Sequence, residues 1–394
     1  MFKNGFNIPV IKHLTHKSGN FIFSCECDEL VINPLMVEFN TLYESIKKLP
    51  VLPSLFAKLE TDLIRSSIFG TAAIEGNPLS EEEVRDILNE EDENEVEDNN
   101  KNIEVEFRSR AQFEIRNLKV LYSLLGKHEV ANPQSLLFEE FIKTTHSIVT
   151  TNIDYHHNSP GIYRNEVVEV GDKNHGGVYK PPKTLDDIKT LMGIFIEWIN
   201  SPEMLEVDHS LKAALAHYHL AMIHPFQDGN GRTARFVEAS LLKVGGASLV
   251  APMMSNFYYR NIDEYFISFS KSRKAKDMTP FLQFYYRGLI ESLEEVQDKV
   301  VGVLNVLLFK DYMSSARKNK HITSRQHDLV LQLIETKKEF SLRSLYADPV
   351  FKPLYVSVAE STSRRDIKKL VGLKVIKEIA PKQYGINWEW LKSL

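Results

Sequence analysis

The chain has 394 residues, 43% hydrophobic and 26% charged, with a formal charge of −5, long enough for two or three domains that each bury a core. That composition excludes a fibrous or low-complexity chain, and the small negative charge excludes a global basic field holding nucleic acid, leaving room only for a local basic patch. No signal-peptide core and no membrane-length apolar run is present, so a reducing cytoplasm and no membrane contact are expected.

Residues 1–50 mix short apolar runs with Pro9, Pro34 and Pro50 and read as extended segments and turns around a helical body. Cys25 and Cys27 have no second pair to complete a structural zinc site and are expected to pack. From Pro53, the spacing of Leu55, Leu59, Leu63 and Ile68 predicts one long amphipathic helix. Gly76, Asn77 and Pro78 stop it, and Ser80 with Glu83 forms a capping box for the next. Glu75 therefore stands at a helix C-terminus, where the dipole disfavours a carboxylate by up to about 1 kcal/mol unless a cation partners it. On position alone, a solvated glutamate and an ion-paired one both stay open.

Residues 89–102 form an acidic, poorly hydrophobic run that reads as a solvated linker. Helical periodicity returns over 107–125 and 133–149. Residues 161–188 carry the one hairpin signal: Val168 and Val170 alternate, DKNHGG turns, and Val178 and Tyr179 precede two prolines. Such a hairpin must lean on the helical body. Thr184 or Asp186 caps a helix over 185–200, and Asp208 or Ser210 caps another whose Leu211, Leu215, Tyr218 and Met222 face a core. His217 and His219 on that helix read as structural.

His224 to Arg235, HPFQDGNGRTAR, follows directly. Gly229, Asn230 and Gly231 form a glycine turn opening a second helix, an anion cradle of unpaired N–H groups at the positive end of a helix dipole. Asp228 is a single carboxylate, which suits magnesium held mostly by water and phosphates. Arg232 and Arg235 can clamp phosphate oxygens. His224, neutral near physiological pH, can take a proton from a hydroxyl. A P-loop is absent from the sequence.

The last eighty or so residues read as three helices and a terminal hairpin, the outline of a winged helix-turn-helix. Ser361 is expected to cap a helix bearing Arg364, Arg365, Lys368 and Lys369, whose charges can lie on DNA, face solvent or meet a protein.

HPFQDGNGRTAR resembles the signature of Fic-domain proteins, HPFxDGNGRxxR, at every fixed position. With the C-terminal reading, the resemblance implies a mainly α fold: an N-terminal segment (1–102) with an inhibitory helix at about 53–75, a helical Fic-type core (103–305) with a β-hairpin flap at about 161–182, and a small winged-helix domain (306–394). It implies a protein adenylyltransferase, in which His224 deprotonates a Ser, Thr or Tyr hydroxyl that attacks the α-phosphate of ATP, with magnesium on Asp228. Residues 71–77 resemble the inhibitory [S/T]xxxE[G/N] motif, which pairs Glu75 with Arg235; Glu75 could in addition position a water that removes AMP. The outline YR…VxVG…YxPP resembles the Fic flap, which aligns the target by strand-like pairing at Val168 and Val170. An aromatic near Tyr265 lines the adenine pocket in that family. The implied partners are a protein substrate with a hydroxyl side chain, the chain itself included, a second copy in a homodimer, and DNA through the C-terminal domain. Two rivals stay open: a nucleotide-sensing transcriptional regulator that binds DNA, and the same chemistry with another donor.

Overall fold

The computed structural model describes residues 6–49, 53–90, 103–125, 136–153 and 159–391. Most of the acidic run, residues 91–102, and the start of the helix expected from 133 lie outside them. The chain forms two compact units, Met1–Val296 and Gln297–Leu394.

In the first unit, β1 (Ile11–Thr15) pairs antiparallel with β2 (Gly19–Phe23), setting Ile11 opposite Phe23. The rest of this N-terminal segment departs from the extended reading, because residues Glu29–Lys47 form a 19-residue helix, α1. Asp28 caps it by accepting from Leu30 N at 3.0 Å, and Ile32, Phe39, Tyr43 and Ile46 bury one face. Pro34 lies inside it and removes one backbone hydrogen bond, a local loss that the buried stripe outweighs. Cys25 and Cys27 are buried and free.

Helix α2 (Pro53–Ile74) ends in the turn at Gly76, and the capping box of Ser80 and Glu83 starts α3 (Glu81–Asn89). Then follow α4 (Ile103–Ser123), α5 (Glu139–Thr150), α6 (Leu185–Ile199, capped by Thr184) and the short α7 (Pro202–Leu205). Ile68 of α2, Ile115 and Leu118 of α4, Val149 of α5 and Phe236 pack in one apolar cluster. This cluster sets α2 beside the helix that opens at the glycine turn.

Helix α8 (His209–Ile223), capped by Asp208, was expected to face one core, but 13 of its 15 residues are buried. Helices pack on all its sides, so its polar residues need internal partners. His217 bonds Glu238 on one ring nitrogen and Tyr265 Oη at 2.9 Å on the other, and His219 Nε2 donates to Ser24 O at 3.0 Å. Helices α9 (Asn230–Val244), α10 (Met254–Arg260), α11 (Ile262–Ala275) and α12 (Thr279–Lys318) complete the sequence to the second unit.

The expected flap hairpin reduces to one bridge, Val170 with Tyr179, made by two backbone bonds of 2.9 and 2.7 Å. Val168 pairs with no strand among the described residues. The turn closes through Asp172, whose carboxylate accepts from Asn174 N and His175 N and whose carbonyl accepts from Gly177 N. Side-chain bonds to the turn and the following prolines take the place of a longer ladder.

The second unit contains α13 (Ser324–Thr336), short α14 (Ser344–Ala347) and α15 (Lys352–Tyr355), α16 (Glu360–Gly372), the hairpin β3 (Ile376–Ala380) with β4 (Gln383–Ile386), and α17 (Trp388–Leu391). Phe309, Leu329, Leu333, Phe351 and Leu370 are in its core. Asp366 of α16 is buried and accepts from Arg325 Nε at 2.7 Å and Gln326 Nε2 at 2.8 Å. Ser361 does not cap α16: the helix begins one residue earlier, after Ala359, with no side-chain cap.

Candidate functional site

Helix α8 delivers His224 at its C-cap, in the left-handed region (φ 51°, ψ 59°), with its N–H on Leu220 O at 3.0 Å. A non-glycine residue there is strained by an energy on the order of 1–3 kcal/mol and needs surroundings that fix it. Arg164 supplies them. Its backbone N–H donates to Pro225 O (2.9 Å), its Nε to His224 O (2.8 Å), and its two terminal nitrogens to Glu166 O and Pro182 O (2.7 Å each). Arg164 thus ties both ends of the flap segment to the signature loop.

The loop is closed from inside by Asn230, whose side chain accepts from Phe226 N at 2.9 Å and donates to Phe226 O at 2.8 Å. Its amide is therefore engaged by the loop. Gly229 at φ 73° is the N-cap of α9, and a Cβ there would press on Thr150. Thr233 N makes the first bond of α9, to Gly229 O, so the N–H groups of Asn230, Gly231 and Arg232 have no partner within the helix.

His146 of α5 supports the same loop. Its Nδ1 accepts from Gly161 N at 2.9 Å, which places the proton on Nε2, and Nε2 donates to Asp228 O at 2.9 Å. The ring stacks on Phe226 at 3.7 Å. Burial pushes its pKa down to about 4, so it stays neutral.

The two signature arginines diverge. Arg232 is buried between Asp228 (Nη2 to Oδ2, 3.3 Å) and Glu114 of α4 (Nη1 to Oε1, 3.5 Å), and its Nε and Nη1 make no hydrogen bond among the described residues. Arg235 turns to α2: Nε donates to Thr71 Oγ1 at 2.8 Å, and Nη2 to Thr71 O at 3.1 Å and Glu75 Oε1 at 2.7 Å. Burial alone would raise the Glu75 pKa, but the charges of Arg235 and Arg232 outweigh it and hold the carboxyl below its ordinary value. A Cβ on Gly231 would run into the Glu75 carboxylate, so the glycine is what lets the two helix ends meet.

Glu75, His224, Gly231, Arg235 and Tyr265 line one cavity of about 190 Å³ together with Val170 and Tyr179 of the flap. His224 Nδ1 lies 3.3 Å from Ala221 O, so it carries the proton and Nε2 keeps its lone pair. Burial, followed by the nearby Arg164 charge, pushes its pKa down to about 4. Asp228 stands on the α4 side, 4.0 Å from Arg110. Asp228, Gly229, Asn230 and Arg232 are thus grouped around the turn, while His224, Gly231, Arg235, Tyr265 and Glu75 share the cavity. Val168 lies outside that lining.

Residues 136–242 match the model of the Fic/DOC family. The fold is a Fic fold. A Fic family protein from Desulfovibrio desulfuricans G20 aligns with a TM-score of 0.54 at 18% identity, over 90% of this chain and 95% of that one. Residues 134–508 of Fic-1 from C. elegans align with a TM-score of 0.53 at 20% identity, over 71% and 74%. Among curated relatives, protein adenylyltransferase Fic of Drosophila mojavensis is 34% identical over 121 residues, 30% of this chain and 23% of that protein. Its namesake in Nematostella vectensis is 34% identical over 128 residues, 32% and 27%. The chain thus spans about a quarter of the length of the curated relatives it matches.

Three supports of this site carry no role that the sequence alone reveals. His146 is one histidine on a core helix with no local motif, and Arg164 enters the flap outline YR…VxVG…YxPP with no role attached to it. Glu114 lies in an ordinary helical run, although Asn77 of the motif segment holds it at 2.8 Å. All three act across sequence gaps, and only their burial reveals them.

Proposed function

We propose that this protein is a protein adenylyltransferase that moves AMP from ATP to a Ser, Thr or Tyr hydroxyl of a polypeptide, itself included. The observation that carries the reading is the placement of a neutral His224, Nε2 unblocked, on the same cavity as Gly231 and Arg235 at the start of α9. In the reaction, the acceptor oxygen bonds to the α-phosphorus and the bond from phosphorus to the β-phosphate oxygen breaks. The hydroxyl proton passes to His224 Nε2 and pyrophosphate leaves. The unpaired N–H groups of Asn230, Gly231 and Arg232 donate to phosphate oxygens, and Nε of Arg232, which makes no hydrogen bond among the described residues, suits the same anion. Tyr265 offers an aromatic edge to the adenine.

Asp228 fits magnesium as a single oxygen ligand: Arg232 contacts Oδ2, leaving Oδ1 for a cation held otherwise by water and phosphates. When bound, the ion would neutralise charge on the departing pyrophosphate.

Glu75 regulates the enzyme. The 2.7 Å bond from Arg235 to Glu75 supports this reading, because a guanidinium held there is withheld from the γ-phosphate. Removal of AMP by a water positioned on Glu75 belongs to the same proposal. The flap bridge at Val170 would align the target backbone, with Val168 beside it. The cytoplasm is the proposed compartment, and among the described residues no helix is long and apolar enough to cross a membrane.

The test uses magnesium and ATP labelled at either the α or the γ position, with wild type, Glu75→Gly and Glu75→Gly/His224→Ala. Label from the α position alone, lost with His224→Ala, supports AMP transfer. Label from γ would mean phosphoryl transfer instead, and no label from either would leave the nucleotide-sensing regulator, which needs no base.

A further inference from the structure

The two units differ sharply in charge. Residues 297–394 hold 18 Lys and Arg against 10 Asp and Glu, a formal +8, while residues 1–296 hold the remaining 30 and 43, a formal −13. Segregation of this kind on a chain of net −5 is a footprint of a unit that meets a polyanion. The structure shows where the charge converges. An open groove of about 660 Å³ lies between the N-terminus of α13 and the outer face of α16, lined by Lys320, His321, Thr323, Arg365, Lys368 and Lys369 and by no acidic residue.

These cations are not used internally. Arg364 on the same helix pairs with Glu360 at 2.5 Å, and Arg325 pairs with the buried Asp366 at 2.7 Å. Lys320, Arg365, Lys368 and Lys369 make no ion pair among the described residues. Fold stability does not explain them, since α16 is anchored by Ser363, Asp366, Ile367 and Leu370 on its other face. Thr323 caps α13 on Gln326 N, so the positive end of that helix opens beside the same lysines.

We propose that this groove binds duplex DNA, with α16 presenting Arg365 and Lys368 to the helix groove and Lys320 with the α13 N-terminus on the flanking phosphates. Two features favour a duplex over an acidic protein segment. The cations come from two elements, Lys320 beside the start of α13 and Arg365 and Lys368 on α16, which suits an arrangement in which one helix enters a groove while another abuts the backbone. The exposed positions 361, 365 and 368 also form one continuous face at helical spacing, with Ser361 and Arg365 able to reach base edges. The inference is independent of AMP transfer.

The experiment is fluorescence anisotropy of the full chain with a labelled mixed-sequence duplex of about 25 base pairs. Arg365→Ala/Lys368→Ala is compared with the charge-matched Arg343→Ala/Lys352→Ala, which lies off the groove. The expected result is a loss of at least about tenfold in affinity for the groove pair, a change below about twofold for the other pair, and a salt slope reduced by about two. Far-UV circular dichroism and the thermal midpoint confirm that both variants fold. Equal losses in both pairs, no binding by wild type, or equally effective competition by single-stranded RNA or polyglutamate would each overturn the proposal. His224→Ala should bind the duplex as wild type does, so this test fails or succeeds separately from AMP transfer.

Discussion

Arg235 Nη2 donates to Glu75 Oε1 at 2.7 Å, joining the end of α2 to the start of α9 across 160 residues of sequence. Arg235 is also held by the Thr71 hydroxyl and carbonyl, so the pair is one edge of a three-point grip. Glu75 keeps 30% of its side-chain exposure, whereas Arg235 keeps 2%. The acid is therefore the partner that can leave.

Replacing Glu75 with Gly should raise self-labelling from α-labelled ATP by about tenfold or more, the equivalent of at least about 1.4 kcal/mol. It should also lower stability by about 1–3 kcal/mol in the absence of nucleotide, because a buried guanidinium loses an anionic partner. Calorimetry with and without ATP checks the second part: nucleotide should restore more stability to the variant than to wild type. Unchanged labelling would remove the inhibitory role.

Low pH should act on two separate properties. His146 and His219 are both buried and held down to about 4, so each must be neutral in the folded chain. Their contribution is present above the unfolded value near 6.5 and is lost as pH falls toward 4, at up to about 1.4 kcal/mol per pH unit for each group. A thermal midpoint that does not drop between pH 6.5 and 4 would contradict this. For activity, His224 must be neutral to accept a proton, and with its pKa near 4 the Glu75→Gly variant should label at a constant rate from about pH 6 to 8.

Arg164 is held below its ordinary pKa, to about 10, by burial, and its guanidinium meets three carbonyls and, among the described residues, no carboxylate. Lysine cannot reproduce that planar fork. Arg164→Lys should cost about 2–4 kcal/mol and, in the Glu75→Gly background, lower the labelling rate by loosening the strained His224. A wild-type denaturant midpoint together with a wild-type rate would exclude the positioning role.

His175 links the flap turn to α11, with Nδ1 2.8 Å from Asp172 and Nε2 3.0 Å from Asp263. Both partners accept, so only the protonated ring can donate to both, and the hydrogen bonds to Asp263 and Asp172 raise its pKa. The latch is complete below the ordinary value near 6.5 and is lost as pH rises through the raised value. Hydrogen exchange of the 172–177 amides should be protected at pH 6 and faster at pH 8.5 beyond the intrinsic increase, and Asp263→Asn should abolish the difference.

How much of this was legible beforehand follows from the range of the forces involved. The cap of α8 by Asp208, the capping box of α3 and the glycine turn before α9 are local, set by side chains bonding backbone a few residues away, and so they could be read from the order of residues. The match of HPFQDGNGRTAR and TAAIEGN to known motifs named the Glu75 and Arg235 pair without coordinates. Pro34 punctuates the chain locally, but the buried stripe of α1 overrides it, and side chains of Asp172 and His175 hold the flap where the alternation of valines predicts a ladder. Only the tertiary structure decided that Arg232 and Arg235 point to different helices, that Asn230 closes its own loop, and that His146, Arg164 and Glu114 brace the site. Those assignments depend on which faces of α2, α4, α5 and α9 are pressed together, and packing of that kind is a property of the whole core and not of any stretch of sequence.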